Sequence, residues 1–318
     1  MTSPPTVLAL RALKLGDLLV AVPALRGVAR GFPEHRLLLA CAPWLRPVAE
    51  LIGGIDSLVP TPTGLDDPLD VPAGSIDVVV NLHSNGPDSR GRLEELGAPL
   101  RLGHAAPGWD GPEWCDDIHE RRRWVRMVTA HGLPAEVSDY RLDPPALDVS
   151  VFGAGPGSAV VHVGAFHPSR HWPVERFAEV VRSLVARGLR VLLTGSAGER
   201  GRAERVASLL PAEHLRARAV RVVAGEMSLP EFLAVIAGAD LVVSADTGAA
   251  HLASAFARPS VVLFGPAAPE HWGPPPGPHR VLTDARARRG DTFAQTPDPA
   301  LLAVTVDAVL REVDDLLG

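Results

Sequence analysis

Short apolar runs alternate along the chain with longer stretches whose apolar positions recur every three or four residues, the pattern of parallel strands wrapped by helices. The first half predicts strands near Val7–Leu10, Arg36–Cys41, Ser57–Val59 and Val78–Leu82, with helices from about Asp17 to Arg30, Trp44 to Ile52 and Asp117 to His131. After His83 this half reads as irregular and loop-rich. The second half is cleaner and predicts strands at Ala159–Val163, Arg190–Thr194, Val220–Val223, Leu241–Ser244 and Ser260–Phe264, each followed by a helix or turn. Between the halves, from Asp143-Pro144-Pro145 to Gly153-Ala154-Gly155-Pro156-Gly157, proline and glycine replace periodicity, which places a linker and a boundary near residue 150. The expectation is two Rossmann-like α/β domains, residues 1–150 and 151–318, with the last helix free to pack back on the first. Several kinds of two-domain α/β enzyme share this alternation.

Composition sharpens this picture. With 318 residues, 46% of them apolar and 21% charged, the chain can build two cores and is not a disordered sequence. It contains no apolar run long enough to cross a bilayer, and its start, Met1-Thr2-Ser3-Pro4-Pro5, lacks the basic flank and apolar core of a leader. Neither a spanning nor a secreted protein is expected. Cys41 and Cys115 are the only cysteines, too few for a disulfide scaffold or a cysteine-built metal centre, so a cytoplasmic location is expected. The basic residues are Lys14 and 30 arginines. Residues 1–150 carry 14 basic and 20 acidic side chains, and the remainder 17 of each. Nucleic acid is therefore not an expected partner.

Missing motifs narrow the chemistry. Without a second lysine there is no Gly-x-x-x-x-Gly-Lys phosphate loop. Gly153-Ala-Gly155-Pro-Gly157 has a dinucleotide look, but its third glycine comes one place early and the run precedes a strand instead of following one. No Asp-x-Asp occurs, so a carboxylate–metal clamp on a diphosphate is not expected, and the diphosphate charge must be met otherwise.

Three segments offer means. In Leu241-Val-Val-Ser-Ala-Asp246-Thr247-Gly248-Ala-Ala-His251 a buried strand runs into Asp246, read as the cap of the next helix. The amides that follow and the helix dipole favour an anion, Gly248 lets a phosphate approach, and His251 adds a donor. An ordinary capped helix with a core histidine fits the same spacing. In His162-Val-Gly164-Ala-Phe-His167-Pro-Ser169-Arg170-His171-Trp172-Pro173, donors gather between a strand and a helix, although a capped loop with a packed Trp172 would look alike. In Lys14-Leu15-Gly16-Asp17, a carboxylate at a helix start either caps that helix or accepts a proton from a hydroxyl.

Together the three segments resemble glycosyltransferase family 9, the ADP-heptose:lipopolysaccharide heptosyltransferases and their relatives. Leu15-Gly16-Asp17 with Pro23-Ala24-Leu25 is similar to the family's amino-terminal signature, which implies Asp17 as general base. Asp246-Thr247-Gly248 with His251, followed by Phe264-Gly265-Pro266, resembles its donor motif, and Thr247 and Gly248 would then bind the diphosphate. Arg170-His171-Trp172-Pro173 is similar to the family's Lys-x-Trp-Pro element, with arginine in place of lysine and Ser169 beside it. Glu199 matches a glutamate on the ribose, and Met227 a residue near the base.

The resemblance implies a GT-B fold, two Rossmann-like domains with parallel sheets facing across a cleft. It implies an inverting transfer of a heptose-like sugar from an ADP-sugar, without metal or other cofactor, to a glycan, glycolipid or natural-product hydroxyl. Acceptor recognition is expected in polar loops after strands of the first half, where His83, Asn85, Arg90 and Trp109 sit, and His83, Asn85 and Arg90 are the acceptor candidates. Arg121-Arg122-Arg123-Trp124 is expected to form a solvated helix face. A net charge of −6 in residues 1–150 fits poorly with a strongly anionic acceptor such as lipopolysaccharide. A lipid acceptor would bring the chain to the inner membrane face without an anchor. A sugar-nucleotide epimerase of similar fold, or a non-catalytic sugar-nucleotide-binding protein, is the alternative.

Overall fold

A computed structural model of the chain describes residues 4–72 and 74–318. Met1, Thr2 and Ser3, part of the start read above for a leader, lie outside the described residues. The chain forms two compact units that divide between Leu142 and Asp143.

The first unit is built on a parallel sheet of β1 (Thr6–Leu10), β2 (Arg36–Cys41), β3 (Ser57–Pro60), β4 (Val78–Asn81) and β5 (Leu100–Leu102), in the order β3-β2-β1-β4-β5. Of the three inner strands, β1 and β4 are nearly continuous runs of buried aliphatics, as a sheet covered on both faces requires. Helices α1 (Leu15–Gly31), α2 (Arg46–Ile52), α3 (Pro87–Glu94) and α4 (Glu120–Ala130) complete the unit. Arg26 and Arg30 both reach Asp139 at 2.7 Å and so tie α1 to the segment that follows α4.

The elements missing from the sequence reading have weak signals. β5 spans three residues, Leu100-Arg101-Leu102, too few to show alternation. In α3 only Ser89 and Leu93 are buried, so the segment read as loop after His83 carries a helix without an apolar stripe. Two surface expectations also change. Trp109 is a core residue, 3% exposed, with its Nε1 donating to Glu94 at 2.7 Å. The arginine run on α4 is not a solvated face. Arg121 stacks on Tyr140 and Arg123 pairs with Glu120 at 2.7 Å, both buried, because a ring and a carboxylate compensate their desolvation.

The second unit has six parallel strands, β6 (Ser158–His162), β7 (Arg190–Thr194), β8 (Val220–Val222), β9 (Leu241–Ala245), β10 (Ser260–Leu263) and β11 (His279–Leu282), in the order β11-β10-β9-β6-β7-β8. Helices α5 (Val174–Ala186), α6 (Arg200–Ser208), α7 (Ala212–Arg216), α8 (Leu229–Gly238), α9 (Gly248–Ala255), α10 (Pro269–Trp272), α11 (Pro299–Leu302) and α12 (Val306–Leu317) complete it. The proline- and glycine-rich stretch before β6 is fastened to this sheet. Arg190 donates to the main-chain oxygens of Gly153 and Pro156, and Arg221 donates to that of Val151. The last helix, read as free to pack on the first domain, buries Val309 and Val313 in the core of the second unit, where an apolar stripe of its own sheet and α5 meets it.

Candidate active site

Each sheet reverses its strand order once, and in open parallel sheets ligands bind beyond the carboxyl ends of the strands at that point. In the first unit the reversal lies between β1 and β4. The residue that organises it is Arg11, directly after β1 and 1% exposed. Its Nε donates to the main-chain oxygen of Asp17 at 3.0 Å, and its Nη1 donates to that of Leu82. The guanidinium carbon sits 4.9 Å from the centre of the Trp124 ring. Burial lowers the Arg11 pKa, and the carboxylates of Asp17 and Glu120 oppose that.

Asp17 lies in the first turn of α1. Its Oδ2 accepts the Lys14 N–H at 3.2 Å, and its Oδ1 lies 3.9 Å from Nη2 of Arg11. A side chain held this way still keeps 25% exposure. It caps the helix with one oxygen while part of the carboxylate stays reachable. His83 follows β4, its N–H donating to Asn81 Oδ1 at 3.1 Å. Burial and then the Arg11 cation push its pKa down to about 4, against the pull of Asp17, so the ring is neutral near neutral pH. Asn81 also donates to Ser89 Oγ at 3.0 Å and thereby fixes the loop into α3.

Asn85 and Arg90 turn on each other, Arg90 donating to the Asn85 main-chain oxygen. Arg90 lies on α3, not in a loop as its sequence suggests, because Pro87 and Asp88 open a helix there.

The second sheet reverses between β6 and β9. Here Arg170 Nε approaches Asp246 Oδ2 at 3.5 Å and His251 Nε2 approaches Oδ1 at 3.8 Å. Asp246 is 5% exposed, so a buried carboxylate holds two nitrogen groups at the sheet edge. The residue at the cap position of α9 is Thr247, not Asp246 as the sequence suggests, and its side chain makes no capping hydrogen bond. The Thr247 hydroxyl bonds Ser244 Oγ at 2.8 Å, and the amides of Ala250 and His251 donate to the Thr247 oxygen, which leaves those of Gly248 and Ala249 to face beyond the helix end.

The turn that carries Arg170 is anchored from below. Arg202 donates to the Val163 oxygen at 2.8 Å and to that of Trp172, and Trp172 Nε1 donates to the Val304 oxygen at 3.1 Å. Ser169 is fully buried and donates its hydroxyl to the Thr292 oxygen at 2.6 Å. It anchors this turn to the segment around Thr292.

Glu199 lies after β7, its Oε2 accepting the Ser196 N–H at 2.7 Å. Its carboxylate lies against Gly164, where a Cβ would stand 2.7 Å from Oε1 and closer still to Oε2. Beneath it His162 bonds the Thr194 hydroxyl at 3.0 Å, and burial lowers the His162 pKa while Glu199 raises it. Met227 is half-buried in the turn before α8. The structure thus gathers Asp17 with His83 in one unit, and Arg170 with Asp246 and His251 in the other.

Sequence reasoning missed Arg11, whose available signal was a charged residue placed directly after an apolar strand. Among the described residues no three His, Cys, Asp or Glu side chains come together as a metal site. No helix among them is long and apolar enough to cross a membrane.

Comparison with known proteins adds to this geometry. Residues 127–288, half of the chain, match the profile of glycosyltransferase family 9 (heptosyltransferase). Lipopolysaccharide heptosyltransferase 2 of Salmonella typhimurium is 34% identical over 209 residues, covering 64% of this chain and 56% of that protein. The chain spans about half the length of the curated relatives it matches. The solved structure of E. coli ADP-heptose lipopolysaccharide heptosyltransferase II superposes with a TM-score of 0.79 at 22% identity, covering 98% of both chains. That of E. coli heptosyltransferase WaaC with ADP gives a TM-score of 0.68 at 20% identity, covering 98% of this chain and 97% of that one. The fold is GT-B.

Proposed function

The chain belongs to glycosyltransferase family 9, and on that premise we propose that it moves a heptose-like sugar from an ADP-sugar to a hydroxyl of a glycan, glycolipid or natural product, with inversion. The observation that carries this reading is Asp17, a carboxylate fixed at the first sheet's reversal by Lys14 and beside Arg11, yet 25% exposed. Asp17 takes the proton of the acceptor hydroxyl. The oxygen attacks the anomeric carbon from the face opposite the diphosphate, the bond from that carbon to the phosphate oxygen breaks, and ADP leaves with the electron pair.

The charge that develops on the diphosphate falls to groups of the second unit. Arg170 supplies a cation, the amides of Thr247 and Gly248 at the start of α9 supply oriented donors, and His251 supplies one more. These groups can do what a divalent cation does elsewhere. Glu199 takes the ribose through Oε1, since its Oε2 is already bonded to Ser196, and Met227 lies toward the base. The adenine preference rests on relatives whose names or solved complexes carry ADP-heptose or ADP. His83, with Asn85 and Arg90 nearby, faces the acceptor as a neutral hydrogen-bonding group. A lipid acceptor would hold the chain at a membrane surface by its substrate alone.

Thermal stabilisation by ADP, UDP, GDP and dTDP, each with chelator and again with magnesium, tests the donor reading. A nucleotide at about 100 times its Kd adds roughly 2.7 kcal/mol and raises Tm by a few degrees. Selective stabilisation by ADP with chelator present is expected. No shift with any nucleotide, or one that needs magnesium, contradicts it.

A further inference from the structure

One buried side chain joins the two loops that meet at the first sheet's reversal. Arg11 reaches the Asp17 main-chain oxygen through Nε and the oxygen of Leu82, the residue before His83, through Nη1. Trp124 covers its face, and the side chain is 1% exposed. The remaining corner, Nη2, is buried without a hydrogen-bond partner and faces Asp17 Oδ1 at 3.9 Å. A guanidinium is a rigid planar fork, so anchoring Nε and Nη1 fixes the direction of Nη2.

We propose that Arg11 is a positioning residue for the transfer: it sets where the Asp17 carboxylate stands relative to His83, and thereby where the acceptor hydroxyl is held. This rests on the base role proposed above for Asp17. Burial penalises the charge on Arg11, and the Trp124 ring together with nearby carboxylates offsets that penalty. Two carboxylates act on it, Asp17 and Glu120 from α4. Glu120 is already engaged by Arg123 at 2.7 Å, which leaves Asp17 as the group Arg11 serves. The same cation helps to keep His83 neutral, with Asp17 pulling the other way. His83 therefore stays a hydrogen-bonding group and does not become a second cation competing for Asp17.

The test uses Arg11→Lys and Arg11→Met in the full chain, with Asp17→Asn alongside. ADP binding is read by calorimetry. ADP release from ADP-heptose is read with a neutral oligosaccharide and with lipopolysaccharide core oligosaccharide as acceptors, and with water alone. The His83 ring is titrated by NMR. ADP affinity is expected to stay within about twofold while kcat falls about 10–100-fold, the size of effect that a misplacement near 1 Å produces.

In Arg11→Met the His83 titration should rise above about 4, because one of the two causes holding it down is gone. If Arg11→Met fails to fold, Arg11→Lys carries the test, since it keeps the charge and loses the fork. Unchanged kcat in Arg11→Lys with an impaired Asp17→Asn overturns the Arg11 role alone. A parallel loss of ADP binding and turnover marks a purely structural residue and also overturns it. Full turnover in Asp17→Asn overturns the base assignment, and the Arg11 role with it.

Discussion

The Arg170 guanidinium stands 3.5 Å from a buried Asp246 carboxylate, while 24% of the Arg170 side chain remains exposed. Asp246 thus orients the cation and leaves one edge of it for a ligand. Replacing Arg170 with Met should weaken ADP binding about 10–100-fold, the size of one or two charge-assisted hydrogen bonds, and Lys should recover part of it. Asp246→Asn should weaken ADP binding too and lower stability by about 1–3 kcal/mol, because Arg170 and His251 lose the charge they share. Calorimetric titration and urea unfolding separate the two effects.

His104 gives the fold a pH dependence. It is 3% exposed, wedged 4.8 Å from Trp114 and 5.7 Å from Trp124, and neither ring nitrogen has a hydrogen-bond partner. Burial, followed by the cations of Arg123 and Arg126, pushes its pKa from 6.5 down to about 4. Between those values the unfolded chain binds more protons than the folded one, so the stability is complete above the upper value and is lost as pH falls toward the lower. Urea unfolding at about pH 7.5 and about pH 5 should show this drop, and His104→Phe should flatten it by on the order of 1–3 kcal/mol. An unchanged slope in that variant would contradict the assignment.

Gly164 makes room for the Glu199 carboxylate, since a Cβ there would stand 2.7 Å from Oε1. The far end of Glu199 is flexible, so Gly164→Ala should shift the carboxylate without unfolding the chain. ADP affinity should fall to about the level of Glu199→Gln, with stability changed by about 1 kcal/mol or less. Wild-type ADP affinity in Gly164→Ala would show that the ribose contact does not need this carboxylate position.

Physical reasons divide what the sequence disclosed from what it hid. β2 and β7 lie at the residues expected from sequence because each strand is a continuous apolar run closed by polar turns. β11 and α3 escaped notice, the first with half of its residues polar and the second with too few buried residues to show a face. Asp17, Arg170 and Asp246 stood out as charged residues between the end of a strand and the first turn of the helix that follows. Arg11 did not, and the anchoring of Ser169 was hidden, because both arise from tertiary burial: an arginine reads as surface and a serine hydroxyl as unengaged until the strands beside them are in place. Arg123 misled for the same reason, since Glu120 and Trp114 become its partners only in the folded chain.

The most direct test of the account is turnover of Asp17→Asn at saturating donor, with ADP affinity measured on the same preparation. Asparagine keeps the oxygen that accepts the Lys14 N–H and loses the basicity. The account predicts a kcat lower by about 10²–10⁴-fold with ADP affinity unchanged. Turnover within a few-fold of the wild type would contradict it and remove Asp17 as the base.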